Sequence, residues 1–303
     1  MECRDKATRA ARVLVIMAVL VILNVLPGCG EQATYLPGAV ATQAIINKGS
    51  DTMVNLALAW AEAYTAQHPE GRISVTGGGS GTGIAALING TVDMANASRA
   101  MKPEEVEKAR ANGIEPVEHI VAGDAIAVVV NPSNPISALT IDQLSDIFTG
   151  KITRWPEVGG EDRPVVLLSR ESNSGTHIYF LENVVRKGEK DNQSLFSPDT
   201  LLMPSSEGIS VEVRQNPNAI GYDGLGYVTH DQKTIKVARR AGEPYIPPSI
   251  ETVKDGSYPI ARVLYMYTSG QPTGIIREYL DWIVSAEGQE IVEELGFVPL
   301  MQR

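Results

Sequence analysis

Short apolar runs alternate along this chain with segments whose apolar residues recur at helical spacing. The first pair is a strand-like run at 44–48 followed by a helical segment at 53–67. A second strand-like run at 72–76 is followed by a helical segment at 84–89. This alternation predicts an α/β protein that binds its ligand at the carboxyl ends of the strands.

The pattern continues to the end of the chain. Further predicted strands are 91–97, 117–122, 125–130, 165–168, 219–228 and 263–268, and further predicted helices are 103–111, 141–148, 177–185, 207–215, 273–284 and 286–295. A cluster of turn residues at 131–135 interrupts the first group of elements. We therefore predict two lobes, 44–131 plus 259–303 and 132–258, joined by two crossings that act as a hinge.

The first 28 residues have the pattern of a lipoprotein export signal. Four cations within residues 1–12 precede an apolar stretch at 13–26, which is shorter than the ~20 residues that a membrane-spanning helix needs. The stretch ends in Leu26-Pro27-Gly28-Cys29, which resembles a bacterial lipobox. We expect cleavage of 1–28, lipidation of Cys29, and a tether at 29–43. An uncleaved N-terminal anchor is the alternative, and both place the rest outside the cytoplasm, held at the cell membrane.

Charge and cysteine content exclude several kinds of partner. The formal net charge of −10 argues against nucleic acid. The two cysteines are Cys3 and Cys29, so the part of the chain beyond the lipobox has no thiol for a disulfide or a metal. No two histidines have the spacing of metal ligands. The sequence therefore predicts neither a metal nor a cofactor, and a negative protein that binds an anion must do so by local donors.

The Thr176 turn, residues 169–176, carries the strongest candidate chemistry. It reads Ser-Arg-Glu-Ser-Asn-Ser-Gly-Thr and lies between a predicted strand and a predicted helix. The first N–H groups of a helix lack intrahelical partners, and its dipole is positive at that end. Ser174 and Thr176 add hydroxyl donors, and Gly175 allows close approach of the backbone. Arg170 adds a cation with a fixed fork of donors, so the turn favours a small oxyanion.

Three other turns are predicted to lie together at the carboxyl ends of strands in the first lobe. They are the Thr52 turn at 49–52, the Ser80 turn at 77–83, which repeats Ser-Gly-Thr, and the Ser98 turn at 98–101. Their candidate residues are Ser50, Asp51, Thr52, Ser80, Ser98 and Arg99. Two helix N-termini of the same chemistry, far apart in sequence, predict two lobes that close on one anion.

These residues, in this order, resemble the PstS-like substrate-binding proteins, the phosphate-binding lipoproteins of phosphate ABC transporters. The resemblance covers the chain from about residue 45 to its end. It rests on Gly49-Ser50-Asp51-Thr52, Gly79-Ser80-Gly81-Thr82, Ala97-Ser98-Arg99, Phe148-Thr149-Gly150-Lys151-Ile152 with Trp155, Arg170 with Ser174-Gly175-Thr176, and Gly221-Tyr222 with Gly226-Tyr227-Val228.

The resemblance implies a two-lobe, type II periplasmic-binding-protein-like fold with phosphate in the interlobe cleft. It implies a monomer that is not an enzyme and that delivers phosphate to the permease subunits of an ABC transporter. In that family turn hydroxyls, backbone N–H groups and an arginine hold the phosphate. Carried over by motif, these groups fall on Asp51, Thr52, Ser80, Arg170, Ser174, Gly175 and Thr176, and Ser50, Ser98 and Arg99 complete the predicted site.

The chain departs from the best-studied branch of that family at the Ser98 turn. That branch has an aspartate there, which accepts the proton of the phosphate, whereas this chain has Arg99. Asp51 is the alternative acceptor. Other readings also stay open: a binding protein for sulfate, molybdate or tungstate, a sensor that serves no permease, and a secreted serine phosphatase. His177 follows the Thr176 turn and is interpreted as a residue of the helix rim.

Overall fold

The computed structural model describes residues 44–300. Its strands are β1 (Ile45–Gly49), β2 (Ile73–Thr76), β3 (Met94–Ala97), β4 (Pro116–Val130), β5 (Ala138–Thr140), β6 (Val166–Arg170), β7 (Leu201–Met203), β8 (Ala219–Gly224), β9 (Lys233–Thr234), β10 (Lys236–Ala238) and β11 (Ala261–Ser269). Its α-helices are α1 (Val54–Gln67), α2 (Ser80–Ile88), α3 (Pro103–Ala111), α4 (Ile141–Phe148), α5 (Gly175–Phe180), α6 (Ser206–Gln215), α7 (Ile250–Lys254), α8 (Gly274–Ile283) and α9 (Ala286–Glu294). Short 3₁₀ turns lie at Asp51–Met53, Trp155–Val158 and Leu225–Tyr227, and α5 continues into a π turn at Leu181–Val185.

The main sheet has the strand order β2-β1-β3-β11-β4-β8-β6-β7, and β9 also pairs with β4. β1 is parallel to β2 and β3, and β6 is parallel to β7 and β8. β11 and β4 are antiparallel to their neighbours and lie between these two parallel groups. The first lobe thus contains β1, β2, β3, β11 and the start of β4, and the second lobe contains the end of β4 with β6, β7 and β8. The predicted α/β class with two lobes is confirmed.

β4 runs from one lobe into the other. It pairs with β11 up to Ala125 and with β8 from Ile126 onward. The sequence predicted two strands here, 117–122 and 125–130, because Gly123 and Asp124 interrupt the apolar run. The structure has a single continuous strand, since Gly123 keeps its hydrogen bonding through a 2.7 Å contact from its N–H to Val298 O. The chain therefore crosses between the lobes as one strand, whose pairing with β11 has a single register shift between Leu264 and Tyr265.

Each lobe has its own apolar core. The first-lobe core packs α1 and α8 against the sheet through Trp60, Tyr64 and Tyr279. The second-lobe core includes Trp155 and a stack of Phe180 on Tyr222, whose ring centroids are 3.7 Å apart. Both cores hold the strand ends rigid, which fixes the turns that follow the strands. Among residues 44–300, no helix is both long enough and apolar enough to cross a membrane.

Candidate functional site

The Thr52 turn follows β1 and leads through a 3₁₀ turn into α1. Gly49 has a φ of +149°, and a Cβ there would lie 2.1 Å from Asn96 O, so only glycine lets β1 approach β3 this closely. The next residue, Ser50, donates its N–H to the same oxygen at 2.9 Å. Ser50 and Thr52 are both buried. The close approach of β1 and β3 therefore places this turn beside the Ser98 turn, which follows β3.

The Ser80 turn contains the start of α2. The sequence predicted that this helix begins at Ile84, but it begins at Ser80, directly after Gly79, whose φ is +87°. Ser80 Oγ accepts the N–H of Ser98 at 3.0 Å and lies 3.2 Å from Ser98 Oγ. Both serines are fully buried. The two turns of the first lobe are thus joined by their serine side chains.

The Thr176 turn faces them from the second lobe. Its helix, predicted from residue 177, begins at Gly175. Ser174 is the N-cap, because its Oγ accepts the N–H groups of Thr176 at 3.2 Å and His177 at 3.4 Å. A hydroxyl that accepts in this way keeps its own hydrogen as a donor. Ser174 therefore closes the helix end and still offers a donor to a ligand.

The two lobes meet where these turns converge. A Cβ added to Gly175 would lie 2.5 Å from both Ser80 Oγ and Ser98 Oγ, so the helix start touches the serines of the first lobe. Thr52 Oγ1 and Thr176 Oγ1 are 2.8 Å apart. Hydroxyls from both lobes and the backbone of Gly175 therefore form one small cluster of donors, which is the chemistry that an oxyanion requires.

Arg170 lies at the end of β6 and is buried. Its Nη2 donates to Asp51 Oδ2 at 2.7 Å and to Pro204 O at 3.1 Å. Its Nη1 donates to Ser206 Oγ at 2.9 Å, and its Nε donates to Met203 O at 3.3 Å. A guanidinium has five N–H donors, so these four contacts fix the fork and leave one Nη1 hydrogen for a ligand.

Asp51 connects the Thr52 turn to the Ser80 turn and to Arg170 and Tyr227. Its Oδ1 accepts the N–H of Gly78 at 2.8 Å, and its Oδ2 accepts from Arg170. Its backbone oxygen accepts from Tyr227 Oη at 2.7 Å. Since each carboxylate oxygen has two lone pairs, Asp51 keeps acceptor capacity beyond these contacts.

Arg99 makes its strong contacts away from these hydroxyls. Its Nη1 and Nη2 donate to the two carboxylate oxygens of Glu105 at 2.8 and 2.7 Å, and Nη1 also donates to Ala100 O. This fork-to-carboxylate pair joins the Ser98 turn to the first turn of α3. Its partners indicate that Arg99 orders the turn that carries Ser98.

The structure adds residues that the sequence reasoning missed. Asn173 O accepts the N–H of Gly81 at 2.9 Å, and Asn173 Nδ2 donates to Gly78 O at 3.0 Å, so this side chain joins the lobes. Arg262 on β11 and Asp124 on β4 form a buried ion pair next to the two threonines. No local pattern marks this pair, because the two residues are 138 positions apart.

Two titratable groups of the second lobe are perturbed by burial. Desolvation raises the pKa of Asp223 to about 6, although the Arg170 guanidinium opposes the effect. Desolvation lowers the pKa of His177, whose Nδ1 lies 3.0 Å from Ser169 Oγ and whose ring packs against Phe196. His177 thus contacts Ser169 and Phe196 within the second lobe.

The fold and the arrangement of turns define a two-lobe substrate-binding protein. The PBP superfamily domain matches residues 37–287. The phosphate-binding protein PstS of Pseudomonas aeruginosa is 34% identical over 269 residues, with 83% of this chain and 81% of the relative covered. PstS of Bacillus subtilis is 32% identical over 261 residues, with 86% and 82% covered.

Solved structures give the same result. A putative phosphate ABC transporter substrate-binding protein from Clostridium perfringens, with bound phosphate, has a TM-score of 0.76 and 32% identity over 85% of this chain and 100% of that one. An ABC-type phosphate transport receptor from Vibrio cholerae has a TM-score of 0.68 and 27% identity, with 84% and 100% covered. The chain belongs to the PBP superfamily and, within it, to the PstS-like substrate-binding proteins. The resemblance noted from the sequence is confirmed.

Proposed function

We propose that this protein captures inorganic phosphate in its interlobe cleft, outside the cytoplasm, and delivers it to the permease of an ABC transporter. The observation that carries the proposal is the contact of the Gly175 backbone, from the second lobe, with the hydroxyls of Ser80 and Ser98 from the first. The names of the PstS relatives and the phosphate bound in the Clostridium perfringens protein support the choice of ligand.

The chemistry of the cluster suits a tetrahedral oxyanion. Hydroxyls arrive from four turns on different sides, and Arg170 keeps one N–H beyond its four contacts. Burial strengthens each of these charge-assisted hydrogen bonds, because water does not compete for the donors. The free lone pairs of Asp51 support its role as acceptor for a phosphate proton, which a sulfate ion does not carry at neutral pH.

Calorimetry of the purified protein tests the ligand directly. Phosphate, sulfate, molybdate and tungstate are titrated separately at two pH values. Phosphate is expected to bind at least about tenfold more tightly than the others, which corresponds to about 1.4 kcal/mol. Tighter binding of sulfate, molybdate or tungstate would instead assign the protein to that anion.

We propose that the two lobes, predicted from the sequence as 44–131 plus 259–303 and 132–258, are the bodies that move around the ligand, and that the end of β4 from Ile126 onward moves with the second lobe. Small-angle scattering with and without phosphate tests this motion, and the ligand is expected to reduce the radius of gyration. The same scattering data give the oligomeric state, and we propose that the protein is a monomer.

The protein is proposed to act without catalysis. A serine phosphatase would need an activated nucleophile, whereas Ser80 and Ser98 bond to each other and Ser174 caps a helix. Incubation with a chromogenic phosphomonoester is expected to release no product above the rate of a heat-denatured sample. Release that depends on Ser80 would overturn the binding-protein proposal.

A further inference from the structure

A buried ion pair lies directly behind the two threonines of the site. Asp124 on β4 and Arg262 on β11 are opposite each other in the antiparallel register, so their side chains share one face of the sheet. Nε and Nη2 of Arg262 lie 3.1 and 2.8 Å from Oδ2 of Asp124. The side chains are 2% and 0% exposed. Stability alone does not explain such a pair, because burying two charges is often no better than burying two apolar side chains.

Other donors of Arg262 reach turns of the site. Its Nη2 lies 3.0 Å from Thr176 Oγ1 and 3.4 Å from Thr52 Oγ1. Its Nη1 donates to the backbone oxygen of Ser98 at 3.1 Å. One guanidinium on β11 therefore contacts two turns of the first lobe and the facing turn of the second lobe.

We propose that Arg262, held by Asp124, is a positioning residue of the anion site, which orients the hydroxyls of Thr52 and Thr176 so that one donates to the other and the second donates to the ligand. This inference rests on the proposed function. It assigns a role to Arg262 and Asp124, which act on the anion through the threonine hydroxyls.

The argument follows from counting donors and acceptors. A threonine hydroxyl has one hydrogen and two lone pairs, whereas a guanidinium has donors only. Nη2 of Arg262 has two hydrogens, of which one meets Asp124 Oδ2 and the other is shared between Thr176 Oγ1 at 3.0 Å and Thr52 Oγ1 at 3.4 Å. Both threonine oxygens therefore face this donor group, and neither hydroxyl hydrogen can point toward Arg262. Thr52 Oγ1 and Thr176 Oγ1 are 2.8 Å apart, so one hydroxyl donates to the other. The second hydrogen is left for an anion in the cleft.

Asp124 lets a cation occupy this position without adding net charge to the cleft. Its Oδ1 accepts the N–H of Leu225 at 3.2 Å, and its Oδ2 accepts both N–H contacts from Arg262. The pair is thus a fixed dipole whose positive end touches the threonine hydroxyls. A dipole that is already oriented needs no reorganisation when the anion arrives.

A double-mutant cycle measured by calorimetry with inorganic phosphate tests the inference. Thr176→Val removes one hydroxyl at nearly constant shape. In the parent protein it is expected to weaken phosphate binding at least about tenfold. The second background is Asp124→Asn with Arg262→Met, which removes both charges and leaves no buried carboxylate without its partner. In that background Thr176→Val is expected to weaken binding by less than about threefold.

Ser80→Ala is the matched substitution, because the contacts of Ser80 Oγ are with Ser98 and not with Arg262. Its effect on phosphate affinity is expected to be the same factor in both backgrounds. If Thr176→Val weakens phosphate binding by the same factor in the parent protein and in the second background, the inference is overturned. A parent protein that does not bind phosphate would overturn the proposed function instead.

Arg262→Lys gives a second background that retains the charge. A lysine has no planar fork to reach both hydroxyls and the Ser98 carbonyl, so the Thr176→Val effect is expected to shrink there as well. Near-ultraviolet circular dichroism of each variant confirms the folded state before titration. If the Asp124→Asn, Arg262→Met background does not fold, the comparison is made in the Arg262→Lys background. If Thr176→Val weakens phosphate binding there by the same factor as in the parent protein, the inference is overturned.

Discussion

Nη2 of Arg170 donates to Oδ2 of Asp51 over 2.7 Å, and this contact joins the Thr176 turn of the second lobe to the Thr52 turn of the first. The Arg170 side chain is 1% exposed and that of Asp51 is 16% exposed. An ion pair that is this shielded from water is screened little by salt. Arg170 thus joins the two lobes through Asp51, and we expect its remaining N–H to donate to the anion.

Arg170→Ala is expected to weaken phosphate binding at least about tenfold. A hydrogen bond to a charged group contributes about 1.5–3 kcal/mol, and 1.4 kcal/mol is one decade in affinity. Calorimetry measures the loss. Arg240→Ala is the matched control, because Arg240 is an exposed arginine of the second lobe. If Arg170→Ala binds phosphate as the parent does, the anion site lies elsewhere.

Asp51→Asn is expected to reduce the ratio of phosphate to sulfate affinity. A carboxylate accepts the proton of a phosphate oxygen, but two facing acceptors without a proton repel each other in a dry cleft. Competition titrations against both anions measure the ratio. Arg99→Ala is the comparison variant and is expected to weaken binding of both anions by the same factor, since Arg99 is paired with Glu105 and orders the turn that carries Ser98. If the ratio of phosphate to sulfate affinity is unchanged in Asp51→Asn, the Asp51 carboxylate accepts only from Gly78 and Arg170 and does not accept the phosphate proton.

Gly175→Ala is expected to weaken phosphate binding at least about tenfold, because its Cβ would lie 2.5 Å from Ser80 Oγ and Ser98 Oγ and would hold the lobes apart. Calorimetry measures the affinity and scattering measures the opening. Gly208→Ala is the control, since a Cβ there meets its neighbours at an ordinary 3.4 Å or more. Retained affinity in Gly175→Ala would mean that the lobes need not close this tightly.

Asp223→Asn is expected to stabilise the protein at pH 7 but not at pH 4. Burial raises the pKa of this carboxyl from 3.8 to about 6, so between these values the folded state binds more protons than the unfolded state. The stability of the parent therefore falls as the pH rises through this window, and asparagine removes that loss, which amounts to about 3 kcal/mol.

Chemical denaturation from pH 4 to pH 7 measures this difference. The exposed Asp199 supplies the control, and Asp199→Asn is expected to stay within about 0.5 kcal/mol of the parent throughout. A stability difference for Asp223→Asn that is independent of pH would contradict the prediction.

Cys29→Ser is expected to abolish attachment to lipid and to leave the protein soluble or unprocessed. Cys29 lies outside the described residues, so this prediction rests on the Leu26-Pro27-Gly28-Cys29 sequence. Partitioning into a detergent phase measures the anchor, and Cys3→Ser is the control. Unchanged partitioning of Cys29→Ser would remove the lipoprotein interpretation.

The sequence alone determined the turns that follow the strands. Alternating strand and helix patterns placed the Thr52, Ser80 and Ser98 turns at one edge, because parallel strands end at the same side of a sheet. They placed the Thr176 turn in a second lobe that closes on the same anion. These signals are local, because glycine, serine and threonine favour a turn regardless of how the rest of the chain folds. Helix starts were less well predicted, since Ser80 and Gly175 lie inside the first turn of their helices.

Only the tertiary structure decided which side chains from distant segments meet. The ion pair of Asp124 and Arg262 depends on the register between β4 and β11, and strand pairing over 138 residues leaves no periodic trace in either segment. β4 is continuous across both lobes because its pairing passes from β11 to β8 between Ala125 and Ile126, whereas the sequence suggested a break at Gly123. Local residue preferences predict turns and helices, but the contacts of a cleft depend on how two lobes pack, which is a property of the whole chain.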